Sequence, residues 1–99
     1  PPLATGTARL ITRDEALSAS DGGAILVCDA VEPTRTFIVP IVSAVVERRG
    51  GMLIHGAIIA REYGLPCVTG VPDATTMIAN GDRLTVDGYL GIVTVSRDD

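Results

Sequence analysis

The stretch RRGGMLIHGAIIAREYGLPCVTG, residues 48–70, holds the strongest local signals in this chain of 99 residues. It contains the only histidine, His55, which lies between a glycine pair and an apolar segment of helical composition. Gly64 directly after that segment and Pro66 beyond it are helix-stop signals. The stretch therefore predicts a loop, a helix that begins near His55, and a short strand after the stop.

The position of His55 favours chemistry on a phosphoryl group. A helix that begins there directs free N–H groups and a partial positive charge toward the preceding loop, where an anion is stabilised. Gly50 and Gly51 allow the backbone to approach such an anion closely. The same field disfavours the imidazolium, and a neutral imidazole beside an anion site is suited to accept a phosphoryl group. The alternatives are a surface or packing histidine and a glycine pair that only makes a turn.

The rest of the chain reads as short strands and helices between turn residues. Continuous apolar runs favour buried strands, and Asp87-Gly88 between two such runs is typical of a hairpin. Asp73 is a candidate N-cap, and Asn80-Gly81 is expected to close the helix after it. The pattern predicts an α/β domain with a mixed sheet and short helices packed on it. The predicted strands are 5–11, 24–28, 44–47, 67–70, 83–88 and 91–95, and the predicted helices are 13–19, one after Thr36, 55–63 and 73–79.

Two predicted strands lead into the loops that carry the candidate site. If strands 24–28 and 44–47 are parallel neighbours, Thr36 and His55 follow them at the same edge of the sheet. Thr36 would then offer a hydroxyl group, and Arg48 and Arg49 would supply positive charge for phosphate oxygens. The alternatives are that Thr36 is a plain N-cap and that the two arginines are a solvated pair.

Composition narrows the classes of function. The chain has eight arginines, no lysine and a formal net charge of −4, so we expect no nucleic-acid partner. No apolar run is long enough to span a membrane, and we expect a cytoplasmic protein.

Cys28 and Cys67 lie in strand-like runs and are expected to be buried, reduced thiols, although a disulfide between them stays open. One histidine and two separated cysteines are a poor basis for a metal site.

The motifs together resemble one known family. The segment GGMLIHGAIIAREYGLPCVTG is similar to the phosphohistidine signature of PEP-utilising enzymes, and is nearest to the rifampin phosphotransferase and PEP synthase type. ATGTARL is similar to the opening strand of that domain, and AILVCDAVEPTRT is similar to its segment ending in a Pro-x-x-Thr turn. NGDRLTVDGYLGIVTV is similar to its closing end. The resemblance covers nearly the whole chain.

The resemblance implies a swivelling β/β/α phosphohistidine domain over residues 1–99, as a piece or a subunit of a larger enzyme. His55 would take a phosphoryl group from ATP on a partner ATP-grasp domain and pass it to pyruvate, rifampin or another acceptor on a further domain. Thr36 matches a threonine that lies beside the histidine in some relatives, and Gly50, Gly51 and Arg49 are the other expected phosphate contacts. ATP and magnesium are expected on the partner, and no cofactor on this domain.

Two features depart from the family pattern. Arg48-Arg49 replaces a less charged stretch, and we interpret it as an extra phosphate contact or as charge for docking. Ile54 precedes the histidine where the family usually has threonine or serine, so a hydroxyl group that could orient the ring or touch phosphate is absent. The alternative function is therefore a docking or regulatory swivelling domain that has lost phosphotransfer. A metal site at His55 is a third hypothesis. The sequence does not identify the acceptor, the donor or the oligomeric state.

Overall fold

A computed structural model describes residues 3–11, 22–29, 42–49, 62 and 64–96. These residues form six strands and one short helix, in the chain order β, β, β, β, α, β, β. The strands lie in one sheet in the order β4-β3-β2-β1-β5-β6. The bounds are β1 Leu3–Ile11, β2 Ile25–Cys28, β3 Ala44–Glu47, β4 Cys67–Val68, α1 Ala74–Met77, β5 Arg83–Asp87 and β6 Ile92–Ser96.

The predicted mixed sheet is confirmed. Each of the six predicted strands is present, and each agrees with the prediction to within two residues at either end. The predicted helix over residues 73–79 is present as α1, while the helices predicted at 13–19 and after Thr36 fall outside the described residues, as does nearly all of the one at 55–63. No helix in the described ranges is long and apolar enough to cross a membrane.

Strand β1 joins a parallel half of the sheet to an antiparallel half. Its first part, residues 3–7, pairs antiparallel with β5, and its second part, residues 8–11, pairs parallel with β2. At the change of partner, the Ala8 N–H donates to the Asp82 carbonyl at 2.7 Å, and the Gly81 N–H donates to the Ala8 carbonyl at 3.0 Å. Strands β2, β3 and β4 continue the parallel half, and β6 completes the antiparallel half.

The alternation of side chains along β2 and β3 divides the core into two clusters on opposite faces of the sheet. Every residue of both strands is buried, which agrees with the continuous apolar runs in the sequence. The buried residues of the larger cluster are Ala8, Ile25, Val27, Ala44, Val46, Val68, Ala74, Ile78, Leu84 and Val86. Those of the smaller cluster are Ile11, Leu26, Cys28, Val42 and Val45.

Two glycines lie where the curled sheet brings separate segments together. A Cβ atom on Gly6 would meet the Gly23 carbonyl oxygen at 2.8 Å, closer than such contacts occur. A Cβ atom on Gly88, in the loop between β5 and β6, would lie 3.2 Å from the backbone of Pro66 and Cys67. The hairpin end of the antiparallel half thus packs against the start of β4, at the far end of the parallel half.

The side chain of Asp87 stabilises the hairpin turn by hydrogen bonds, whereas that of Asp73 does not cap α1. The predicted hairpin at Asp87-Gly88 is confirmed, and the Asp87 carboxylate accepts the backbone N–H groups of Tyr89 and Leu90, each at 3.0 Å. Asp73 does occupy the N-cap position of α1, but its side chain makes no capping hydrogen bond. Its φ of −105° and ψ of 14° depart from the extended backbone that usually directs a capping side chain toward the helix N–H groups.

Candidate functional site

The carboxyl ends of β2 and β3 lie side by side at one edge of the sheet, which we call the carboxyl edge. The two strands are parallel neighbours, so the condition set by the sequence for a shared site is met. Backbone pairing continues past both strand ends. The Arg48 N–H donates to the Cys28 carbonyl at 2.9 Å, and the Arg49 N–H donates to the Asp29 carbonyl at 3.0 Å.

The segment after β4 closes the same edge. The Gly70 N–H donates to the Arg49 carbonyl at 2.9 Å, and the Val71 N–H donates to the Glu47 carbonyl at 3.2 Å. The backbone on both sides of Arg48 is therefore held between the ends of β2 and β4. Because a backbone so bonded cannot shift without breaking several hydrogen bonds, the carboxyl edge is a fixed base for the chain segments that leave it.

Four of the five predicted site residues lie outside the described residues: Thr36, Gly50, Gly51 and His55. Arg49 is the fifth, and it lies at the carboxyl edge. The chain leaves this edge after Asp29 toward Thr36, seven residues on, and after Arg49 toward His55, six residues on. The roles of all five residues therefore stay predictions, although the segments toward Thr36 and His55 follow adjacent strand ends.

The side chains of Asp29, Arg48 and Arg49 form a cluster across the two strand ends. The Asp29 carboxylate forms an ion pair with Nε of Arg48 through Oδ1 and with Nε of Arg49 through Oδ2, the latter at 2.9 Å. The hydrogen bond from Arg48 lowers the pKa of Asp29 below its ordinary value, and the charges of both arginines act in the same direction. The side chains of both arginines are exposed, which agrees with the interpretation of Arg48 and Arg49 as a solvated pair. Both also form an ion pair with a carboxylate, which that interpretation did not include.

Glu47 ends β3 with a fully buried side chain. One of its oxygens, Oε1, lies 4.0 Å from the Cys67 sulfur. Burial, with the nearby Glu47 charge as a second cause, raises the pKa of the Cys67 thiol to about 12. A thiol with such a pKa stays protonated at neutral pH, and this makes Cys67 a poor nucleophile.

The two cysteines are free thiols, as expected, although Cys67 is only partly buried. Cys28 lies on β2 and Cys67 on β4, with β3 between them. Neighbouring strands are about 4.8 Å apart, so the two Cα atoms are separated by about 10 Å, beyond the reach of a disulfide of about 7 Å. Within the described part of the chain, no three His, Cys, Asp or Glu side chains form a group that could hold a metal ion.

The sequence interpretation named neither Asp29 nor Glu47 as part of the site. The available signal for Asp29 was its position directly after an apolar strand, at the edge where two arginines follow the next strand. The pairing itself depends on the parallel register of β2 and β3, in which Cys28 lies opposite Glu47. For Glu47, an acidic residue at the end of an apolar run gave no sign that it would be buried.

Residues 20–91 match the family described as "PEP-utilising enzyme, mobile domain". An uncharacterised phosphotransferase, YvkC of Bacillus subtilis, is 41% identical over 93 residues, which are 94% of this chain and 11% of the relative. A rifampicin phosphotransferase of Bacillus cereus is 42% identical over 90 residues, 91% of this chain and 10% of the relative. A phosphoenolpyruvate synthase of Aeropyrum pernix is 38% identical over 94 residues, 94% of this chain and 12% of the relative.

Solved structures show the same fold. A solution structure of the Enzyme I protein nEIt superposes with a TM-score of 0.69 at 30% identity, over 84% of this chain and 35% of that chain. The holo-form crystal structure of Thermococcus kodakaraensis aconitase X superposes with a TM-score of 0.69 at 17% identity, over 96% of this chain and 91% of that chain. The second likeness concerns the fold alone. The chain spans about a tenth of the length of the curated relatives above.

Proposed function

This chain belongs to the family of PEP-utilising enzyme mobile domains, and on that premise we propose that it carries a phosphoryl group on His55 between two active sites of a larger phosphotransferase. The observation that carries the proposal is the carboxyl edge. The loop leading to His55 starts beside the loop leading to Thr36, and two arginines lie at their common base. The segment containing His55 falls within the residues that match the family.

The proposed chemistry is a pair of phosphoryl transfers. In the first, a lone pair of the neutral His55 imidazole forms an N–P bond, and the P–O bond to the donor breaks, with its electron pair going to the departing oxygen. In the second, an oxygen of the acceptor attacks phosphorus and the N–P bond returns its electrons to the ring. Positive charge from Arg49, the Thr36 hydroxyl and backbone N–H groups at Gly50-Gly51 would stabilise the phosphoryl oxygens.

The donor and acceptor lie outside this chain in the proposal. We propose ATP on an ATP-grasp domain as the donor, with magnesium held there, and pyruvate, rifampin or another small molecule as the acceptor. This proposal is supported by the relatives, which include a rifampicin phosphotransferase and a phosphoenolpyruvate synthase, and by the small part of each that this chain spans. The ATP-grasp domain and the acceptor-binding domain are the expected partners, in the same polypeptide or in a separate subunit.

The decisive experiment is labelling of the domain by its ATP-grasp partner. ATP carrying label on the β-phosphate and, separately, on the γ-phosphate is added, and the protein-bound label is tested for acid lability and base stability. We expect acid-labile label in the native protein and none in His55→Ala, with both proteins folded. Absence of label from ATP and then from PEP, with an active partner present, would contradict the proposal.

A second function is supported by Ile54, which replaces the hydroxyl residue common before the histidine. In that case the domain docks or regulates and no longer carries phosphate. Ile54→Ser separates the two functions. An active carrier should change its transfer rate modestly, whereas a domain that has lost the chemistry should be unlabelled in its native form and gain label on substitution.

Zinc titration by calorimetry addresses the metal hypothesis for His55, for which we expect no stoichiometric binding.

A further inference from the structure

We propose that Asp29 is a positioning residue for phosphotransfer: it holds Arg48 and Arg49 in the orientation in which they attract the phosphoryl group to the carboxyl edge. The inference rests on the proposed function and adds a residue to it. Asp29 lies outside the segment 48–70 that contains the glycine pair and His55. It lies at the end of the neighbouring strand, and it contacts both arginines.

The first argument is the geometry of the cluster. One carboxylate uses its two oxygens for two guanidinium groups, so that each arginine is fixed by a charge-assisted hydrogen bond. An arginine side chain has many rotamers, and an exposed arginine without such a contact spends little time in any one of them. The orientation is fixed at its base too, because the Arg48 and Arg49 N–H groups are bound to carbonyls of the β2 segment.

The second argument is charge and access. The cluster of two arginines and one aspartate keeps one net positive charge at an edge of a chain whose formal charge is −4. The side chains of Arg48 and Arg49 are 42% and 64% exposed, so an incoming anion can reach them. The Asp29 carboxylate neutralises one of the two positive charges of the arginines. This is unfavourable if the arginines act only by attracting an anion, and it is useful if their orientation matters more.

The third argument is that the cluster joins the ends of two neighbouring strands. Asp29 is the first residue after β2, on the way to Thr36, and the arginines are the first residues after β3, on the way to His55. A contact between the two strand ends fixes the point from which each of these chain segments leaves the sheet. Misplacement of a reacting group by about 1 Å costs up to about a hundredfold in rate, so such a contact bears on transfer.

The test uses phosphoramidate, a small anionic donor that requires no partner domain. In the labelling step, a His55 ring nitrogen forms the N–P bond, the P–NH₂ bond breaks, and ammonia leaves with the proton that the ring gives up. The rate of phosphorylation of the 99-residue chain is followed by intact mass, with His55→Ala as the blank. Circular dichroism and thermal melting confirm the fold of each variant.

The two explanations predict opposite signs for Asp29→Asn. This substitution removes a negative charge beside the arginines, so a purely electrostatic role predicts faster labelling by an anion. A positioning role predicts labelling about three- to tenfold slower. Asp87→Asn is the matched control, because it makes the same charge change at the hairpin end and keeps an oxygen for the turn N–H groups. We expect the wild-type rate for Asp87→Asn and most of that rate for Asp29→Glu.

A double-mutant cycle tests whether Asp29 acts through the arginines. In the Arg48→Gln/Arg49→Gln background, adding Asp29→Asn should slow labelling no further, whereas general damage to the fold would add to the loss. Asp29→Asn labelling as fast as wild type, Asp29→Glu as slow as Asp29→Asn, or a further loss in the background would each overturn the inference and leave the proposed function standing. Wild type that labels no faster than His55→Ala would overturn the inference, and labelling from ATP and PEP with the partner present then decides the proposed function separately.

Discussion

The parallel and antiparallel halves of the sheet use similar residues with different outcomes. Strand β3, with the sequence AVVE, is buried at every position, and β6, with the sequence IVTVS, has no buried position. Strand β3 lies between two strands, whereas β6 is the last strand of the sheet and contributes the partly buried Val93 to the larger cluster. Apolar content therefore predicts a strand, while its neighbours decide its burial. Strands β2 and β3, which are buried at every position, end at the carboxyl edge.

The largest difference in the free energy of unfolding is expected between an Ile→Ala substitution in β2 and one in β6. Ile25 in β2 is 0% exposed and Ile92 in β6 is 50% exposed. Ile25→Ala should lower the free energy of unfolding by about 2–5 kcal/mol because it leaves a cavity in the core. Ile92→Ala should change it by about 0.5 kcal/mol or less. Urea denaturation measures both, and equal losses would contradict the assignment of β2 as buried and β6 as exposed.

Thiol reactivity gives the next comparison. With a pKa of about 12 against an ordinary 9.0, Cys67 should react with iodoacetamide about a thousandfold more slowly in the folded chain than in urea, since only the thiolate reacts. Glu47→Gln should speed the reaction modestly, because burial is the larger cause of the shift. Mass spectrometry of the alkylated peptide follows the rate. Fast alkylation of folded wild type at neutral pH would contradict the buried, protonated thiol.

A substitution at the junction of the halves should have an intermediate effect. Gly6→Ala places a methyl group 2.8 Å from the Gly23 carbonyl oxygen, and the backbone must shift to accommodate it. We expect a loss of about 1–3 kcal/mol in the free energy of unfolding. Gly91→Ala is the contrasting variant. Its added methyl group meets no atom within 4 Å, and its loss of stability comes from the φ of +70° at this position. A neutral Gly6→Ala would show that the two segments separate freely.

The smallest effect concerns the pH dependence of the Asp29 cluster. Because the pKa of Asp29 is lowered in the folded state, the cluster stabilises the fold above the ordinary pKa of 3.8, and this stabilisation is lost as pH falls through the lowered value. The groups are exposed, so wild type should exceed Asp29→Asn by no more than about 1 kcal/mol at neutral pH. Thermal melts at about pH 7 and about pH 2.5 should show a smaller difference at the lower pH.

Much of the fold could be predicted from the sequence because its signals are local. Continuous apolar runs indicated β2 and β3, and Asp87-Gly88 indicated the hairpin. Contacts that depend on register could not be predicted in this way. The Asp29 and Arg48 positions are 19 residues apart and meet only because β2 and β3 are parallel. Asn80 was expected to close a helix, but its side-chain oxygen also accepts the N–H of Leu10 at 2.6 Å, 70 residues away.

The candidate site divides in the same manner. The resemblance and the physics of a helix start both indicated His55, and the condition that two strands be parallel neighbours is met. Arg49 was predicted as a phosphate contact, and its ion pair with Asp29 adds a competitor that residue patterns do not reveal. A carboxylate beside an arginine changes which groups that arginine can bind, and this information lies in tertiary structure.

The change of partner along β1 has a consequence for how the chain folds. Strand β1 precedes the other described strands along the chain, yet its residues 3–7 pair with β5, and the paired residues Thr5 and Thr85 are 80 positions apart. Contacts of such long range slow folding, because the entropy of closing a long loop is lost before the contact can stabilise the chain. On a ribosome, the parallel half has its strands available first, and the domain closes only after β5 has emerged.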